Sequence, residues 1–254
     1  MYMYTNKQVI CHFTTQNVVF MTKEETAMFL SHDRDRYVAI MSAADLHARG
    51  VHTSSEYINK IVKSTKDFNT IQTTKLQRCI IKADEFLKQY VYENILNCSE
   101  LTRIPWKFAL TDKDYEEGLP HTREDVIFLS LYTLNDNIAN DKNDHHLIST
   151  LIHEKVHIFQ RYNSHVMEKL IQKLGYKEIS YENRLKRSNP DITDKVYMNA
   201  DGKVMIITYS SDMPTGINDI KSASYVMEHP YEKMAYDIGN EYTKRQFQSI
   251  LKTL

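Results

Sequence analysis

The sequence predicts an α+β fold in which a small mixed β-sheet packs on one long amphipathic helix, behind a mainly helical N-terminal region. Apolar residues recur at three- and four-residue spacing over most of residues 22–97. Beyond residue 104, short β-prone runs alternate with longer periodic stretches. Gly and Pro are few, 6 and 5 in 254 residues, which argues for long elements and against flexible linkers. With no repeat or low-complexity tract, the chain reads as a single domain over 1–254. Residues 1–100 form its helical part, and residues 101–254 carry its chemistry.

Taken in order, residues 8–13 and 17–21 are short β-rich runs expected to pair as a hairpin. Thr22 followed by Glu25 is a capping box that opens a helix. Helical pattern continues over 27–30, 36–41, 43–49 and 54–63. A longer segment, 73–95, has its apolar stripe on Leu76, Ile80, Ala83, Leu87, Tyr90, Val91 and Ile95. Two strands, 105–110 and 126–131, are expected on either side of a loop over 112–123. A long helix follows, capped by Asn143 or Asp144, and then a second over 164–174 closed by Gly175. Residues 196–199 and 204–209 surround Ala200-Asp201-Gly202, a strong hairpin turn. After a loop over 212–219, Pro230 leads into a final helix over 231–251.

The long helix carries His153-Glu154-Lys155-Val156-His157, a His-Glu-x-x-His motif. Histidines at i and i+4 share one helix face, so both imidazoles can hold one metal ion. Glu154 is then placed to act as general base on a metal-bound water. Leu147, Ile148, Leu151, Ile152 and Ile158 supply the apolar side of this helix, and Thr150, His153, Glu154, His157 and Arg161 its polar side. Lys155 departs from the strictest form of the motif, in which both central residues are uncharged, and is expected at the solvent edge of the helix.

Composition narrows the function. Charged residues make up 26% of the chain and the formal net charge is −1, with basic residues scattered, so nucleic acid is not an expected partner. No apolar run reaches the roughly 18 residues that cross a bilayer, so no membrane partner is expected. The first 13 residues lack the pattern of a secretory signal. Cys11, Cys79 and Cys98 form no CxxC pair and are expected as reduced, buried thiols. The expected location is therefore a cytoplasm or a virion. A chain rich in Tyr (17 residues), Asn, Lys and Ile fits an AT-rich viral or parasite genome. Oligomeric state is not set by the sequence.

A catalytic zinc commonly has three protein ligands, of which the motif supplies two. Gln160 and Asn163 stand where a metzincin would continue with Gly and His, so that class is excluded, and His165 is out of phase. Glu232 stands out downstream: it falls in the first turn of the final helix, with small Ala235 three residues on. Glu228, His229 and Asp237 remain rivals for the third position.

A Glu-x-x-Ala helix downstream of His-Glu-x-x-His resembles gluzincin-type zinc metallopeptidases. The Pro-Tyr-Glu lead-in and the Tyr after Ala235 are also similar to small zincin-like proteins of bacteria and large DNA viruses. The resemblance spans roughly residues 104–240 and lies in these motifs. It implies a zincin-like fold and a Zn2+ cofactor held by His153, His157 and Glu232. It also implies Glu154 as catalytic base and a hydrolase acting on a peptide or protein substrate. His229 and Tyr236, both close to Glu232, are the first candidates to stabilise an oxyanion, ahead of Tyr209 and Tyr231. Zincin-like peptidases place an edge strand beside the metal, and residues 120–130 stand in the right order for one. Asp191, in an Asx-Pro turn, could bond the free nitrogen of a ligand histidine. The alternatives are a zinc hydrolase of non-peptide amides or esters, and an interaction protein whose zinc is structural, with four protein ligands.

Overall fold

Four N-terminal helices each begin at a reciprocal capping box, in which a Ser, Thr or Asn side chain and a residue three positions on satisfy one another's backbone N–H. These helices are α1 (Lys23–His32), α2 (Ala43–Ala48), α3 (Ser54–Lys63) and α4 (Thr70–Gln89). The computed structural model describes residues 18–134, 144–189, 192–221 and 229–251. Later helices are α5 (Asp144–Tyr162), α6 (Ser164–Lys173) and α7 (Pro230–Leu251). The strands are β1 (Val18–Phe20), β2 (Thr65–Lys66), β3 (Val91–Tyr92), β4 (Leu96–Asn97), β5 (Trp106–Thr111), β6 (His121–Arg123), β7 (Val126–Ser130), β8 (Lys177–Ile179), β9 (Val196–Met198) and β10 (Val204–Met205). The architecture is α+β, as expected.

The central sheet runs β1-β5-β7-β6, with β2 sharing the β1 side of β5. β1, β5 and β7 are parallel, and β6 turns back antiparallel to β7. Alternation along β5 and β7 divides the core. Phe108, Leu110, Ile127 and Leu129 face α4, α5 and α7, whereas Ala109, Val126 and Phe128 face the helices α1 to α3. A sheet covered on both faces needs a near-continuous apolar run, which is what Val126–Ser130 supplies. α5 lies on the first face with Leu147, Ile148, Leu151, Ile152, Val156 and Ile158 fully buried, and its largest helical neighbour is α7. A separate antiparallel sheet, β10-β9-β8, follows α6, which closes at Gly175 (φ +85°).

Three expectations fail in the described residues. The stretch 36–41 forms turns: the Asp33 carboxylate accepts from Val38 N at 2.9 Å and Ala39 N at 3.0 Å, drawing the backbone away from a helical ladder. The fourth helix ends at Gln89 and not near Ile95, because Glu93 and Asn94 both take positive φ in the β3–β4 hairpin turn. Val18–Phe20 pairs in parallel with Trp106–Phe108 and forms no described hairpin, and its expected partner, 8–13, lies outside the described residues. Cys79 and Cys98 are buried free thiols, while Cys11 lies outside the described residues. Among the described residues no helix is long and apolar enough to cross a membrane.

Candidate metal centre

Two turns of α5 and the first turn of α7 bring His153, His157 and Glu232 together, each offering one ligand atom within 4.8 Å of the others. The two Nε2 atoms are 2.9 Å apart. Glu232 Oε2 lies 3.4 Å from His153 Nε2, and Glu232 Oε1 lies 3.5 Å from His157 Nε2. Tetrahedral ligands at zinc distances stand about 3.3 Å from one another, so the cluster has the size and donor chemistry to hold such an ion. Among the described residues, no fourth His, Cys, Asp or Glu joins this group. Close helix approach makes it possible: Ala235 is fully buried and Gly239 abuts Ser149 of α5, so the α7 face beside Glu232 has almost no side-chain thickness.

Three ionisable groups in so small a space shape one another. Burial pushes the Glu232 carboxyl upward, but the imidazoles of His157 and His153 outweigh it and hold the group well below the usual carboxylate range. Outer partners fix the ligands. Gln160 Oε1 lies 2.9 Å from His157 Nδ1, which places the imidazole proton on Nδ1 and leaves Nε2 as the donor atom towards a metal. Asn189 Nδ2 donates to Glu232 Oε1 at 2.9 Å. Motif reasoning singled out neither role. Gln160 is detectable as the residue one turn beyond His157 on the same face. Asn189, 43 positions from Glu232, leaves no local signal.

Glu154 is buried beside His153, and both line an open cleft of about 620 Å³ that also takes in Gly118–Pro120 in the loop before β6, as well as Tyr236. Tyr236 is 46% exposed, and its ring meets His153 edge-on at 4.4 Å between centroids. The other oxyanion candidates are not among the residues that line this cleft. His229 is buried against Tyr197 and Tyr231, and its Nδ1 accepts from Tyr231 N at 3.1 Å, the position of an N-cap on α7. Tyr231 is buried in the same aromatic cluster, and the Tyr209 hydroxyl donates to Asp45 at 3.0 Å. Of the other rivals for the third position, Asp237 accepts from Tyr92 and Lys233, and Glu228 lies outside the described residues; His165 is exposed on α6, and Asp191, the candidate partner of a ligand histidine, also lies outside the described residues.

Two expectations need correction. Lys155 is not at the solvent edge of its helix but fully buried, its amine 3.9 Å above the Trp106 ring and donating to the carbonyls of Ile104 and Pro105. The residue two positions after His153 faces the side of α5 opposite the cleft, and the long stem carries its amine to those two carbonyls. Burial pulls this amine down to about 7, opposed by attraction to Asp84. The second correction concerns residues 120–130. Ile127–Ser130 pairs with β5 and Val126–Phe128 with β6, so Val126–Ser130 is an interior strand and not the sheet edge. The sheet edge is β6, and Arg161 of α5 donates there to the carbonyls of Thr122 (3.4 Å) and Glu124 (2.5 Å).

Compared with known proteins, the chain matches no family model, no curated protein and no solved structure.

Proposed function

We propose that the protein is a zinc-dependent metallopeptidase of zincin-like fold. The observation that carries this reading is the convergence of His153, His157 and Glu232, with His153 and the neighbouring Glu154 lining an open cleft. Three protein ligands beside an open cleft suit a catalytic centre, whereas a structural zinc would be closed by a fourth. When bound, zinc would polarise the scissile carbonyl and bring the pKa of a water towards roughly 7. Glu154 takes the proton of the attacking water and returns it to the departing amine. Tyr236, exposed at the rim beside His153, donates its hydroxyl proton as a hydrogen bond to the oxyanion. Peptide bonds as the target follow from the resemblance of the His-Glu-x-x-His and Glu-x-x-Ala helices to gluzincins.

Elemental analysis joined to a peptide-library digest tests the reading. Wild type should carry zinc and cleave peptides, and Glu154→Gln should keep zinc and fold while losing turnover by several orders of magnitude. Zinc-loaded protein that cleaves only esters or non-peptide amides would move the assignment to a non-peptide hydrolase. Protein that hydrolyses none of these would favour a non-enzymatic interaction role.

A further inference from the structure

We infer that Asn189 is a positioning residue for Glu232, and that Asp45 of α2 holds the Asn189 segment in place, so that a hydrogen-bonded strap joins the N-terminal helices to the third ligand. The inference rests on the reading of His153, His157 and Glu232 as a metal centre. Asn189 donates its amide N–H to Glu232 Oε1 at 2.9 Å, and only the NH₂ end of the amide can face a carboxylate, so its orientation is chemically fixed. A glutamate held at one oxygen cannot swing about its terminal torsion, and Oε2 is kept 3.4 Å from His153 Nε2.

What holds Asn189 is its neighbour. Ser188 donates twice to Asp45, from its backbone N at 3.0 Å and its hydroxyl at 2.7 Å, across 143 positions of sequence. Asp45 is fully buried and also accepts from Ser42 N, Ser42 Oγ and the Tyr209 hydroxyl. Capping six-residue α2 requires only the Ser42 pair. The Ser188 and Tyr209 bonds go beyond capping and clamp the 188–189 segment against the N-terminal helices. A buried carboxylate tolerates no lost donors, so the clamp is stiff.

Zinc affinity of the full chain, measured by competition with a chromophoric chelator, tests both steps. Asn189→Ala should bind zinc about 10- to 100-fold more weakly, the usual effect of losing an outer partner of a metal ligand. Its metal-free melting temperature should stay close to that of wild type, because Asn189 is only partly buried. The visible spectrum of the cobalt-substituted variant should shift, a signature that a purely structural residue leaves alone. Ser188→Ala should weaken zinc binding by less, and the Ser188→Ala/Asn189→Ala double variant should be no weaker than Asn189→Ala alone, since both act through one contact. Wild-type affinity in Asn189→Ala overturns the inference while leaving the metal centre standing. Additive losses in the double variant overturn the Asp45 step. A wild-type chain that takes up no zinc overturns the metal centre and this inference together.

Discussion

Gln160 Oε1 stands 2.9 Å from His157 Nδ1, while its Nε2 donates to the Tyr231 carbonyl at 3.1 Å, so one amide both orients a candidate ligand on α5 and grips the turn of α7 that carries Glu232. The two roles can be separated. Gln160→Leu removes both, and zinc affinity should fall about 10- to 100-fold with a loss of about 1–3 kcal/mol for the buried carbonyl left without its donor. Gln160→Glu keeps an acceptor for His157 and loses the donor to Tyr231, so it should retain more affinity than Gln160→Leu. Chelator competition and urea unfolding read the two effects, and equal affinities for the two variants would sink the orienting role.

If the cluster binds zinc, metal removal must lower stability, because the unfolded chain cannot assemble residues from α5 and α7. Free zinc at 100 times its Kd contributes about 2.7 kcal/mol, or roughly 5–10 °C of Tm for a chain of this size. Wild type should therefore melt lower in chelator than in zinc, and His157→Ala should melt at one temperature in both. A chelator shift that persists in His157→Ala would place the responsible ion elsewhere.

Lys155 predicts an unusual alkaline gain in stability. Burial lowers its amine to about 7 in the folded protein, against roughly 10.4 in an unfolded chain. Between those values the unfolded state holds the extra proton, so stability rises with pH through this window. The ceiling is about 1.4 kcal/mol per pH unit. Below about pH 7 the amine is charged in both states and the cost of burying it is constant at its full size. Lys155→Met removes the titration. Urea unfolding of metal-free protein from about pH 6 to about pH 9 should show wild type gaining on the variant, and a constant difference between them would refute the burial argument.

Local chemistry explains which features were legible in the sequence. Ser54–Lys63 is foreseen at both ends, because its capping residues and apolar stripe lie within the element. The His153, His157 and Glu232 cluster is foreseen for a related reason: two of its residues share one helix face, and the third opens another helix just after a proline. Failures come where a side-chain contact or a strand pairing, and not apolar periodicity, decides. The Asp33 side chain, and not local propensity, shapes 36–41. Lys155 lies under the loop at Ile104 and Pro105, some 50 positions earlier in the chain. The apolar 126–130 run identifies a strand and leaves its neighbours unspecified, so its interior place in the sheet had to come from the fold.

Gly239 offers a test of the helix approach on which the cluster depends. A Cβ built there would stand 2.9 Å from the Ser149 carbonyl oxygen and 3.0 Å from Ser149 Oγ. The hydroxyl can rotate aside, but the carbonyl belongs to α5 and can retreat only if the helix moves. In an unobstructed helix, Gly→Ala adds about 1 kcal/mol of stability through propensity. Here the contact opposes that gain, and overpacking between well-packed elements costs about 1–3 kcal/mol. Gly239→Ala is therefore expected to be less stable than wild type in spite of its better helix propensity. Relief of the clash requires α7 to tilt or slide away from α5. Glu232 lies two turns before Gly239 on α7 and must hold Oε2 3.4 Å from His153, so small displacements at the crossing are passed along a rigid element to the ligand. Zinc affinity should fall with stability, and Gly239→Ser, bulkier still, should do worse on both counts. A Gly239→Ala protein that melts above wild type and binds zinc equally well would mean that the two helices have slack at Ser149, and that the position of Glu232 is set by its side-chain partners alone.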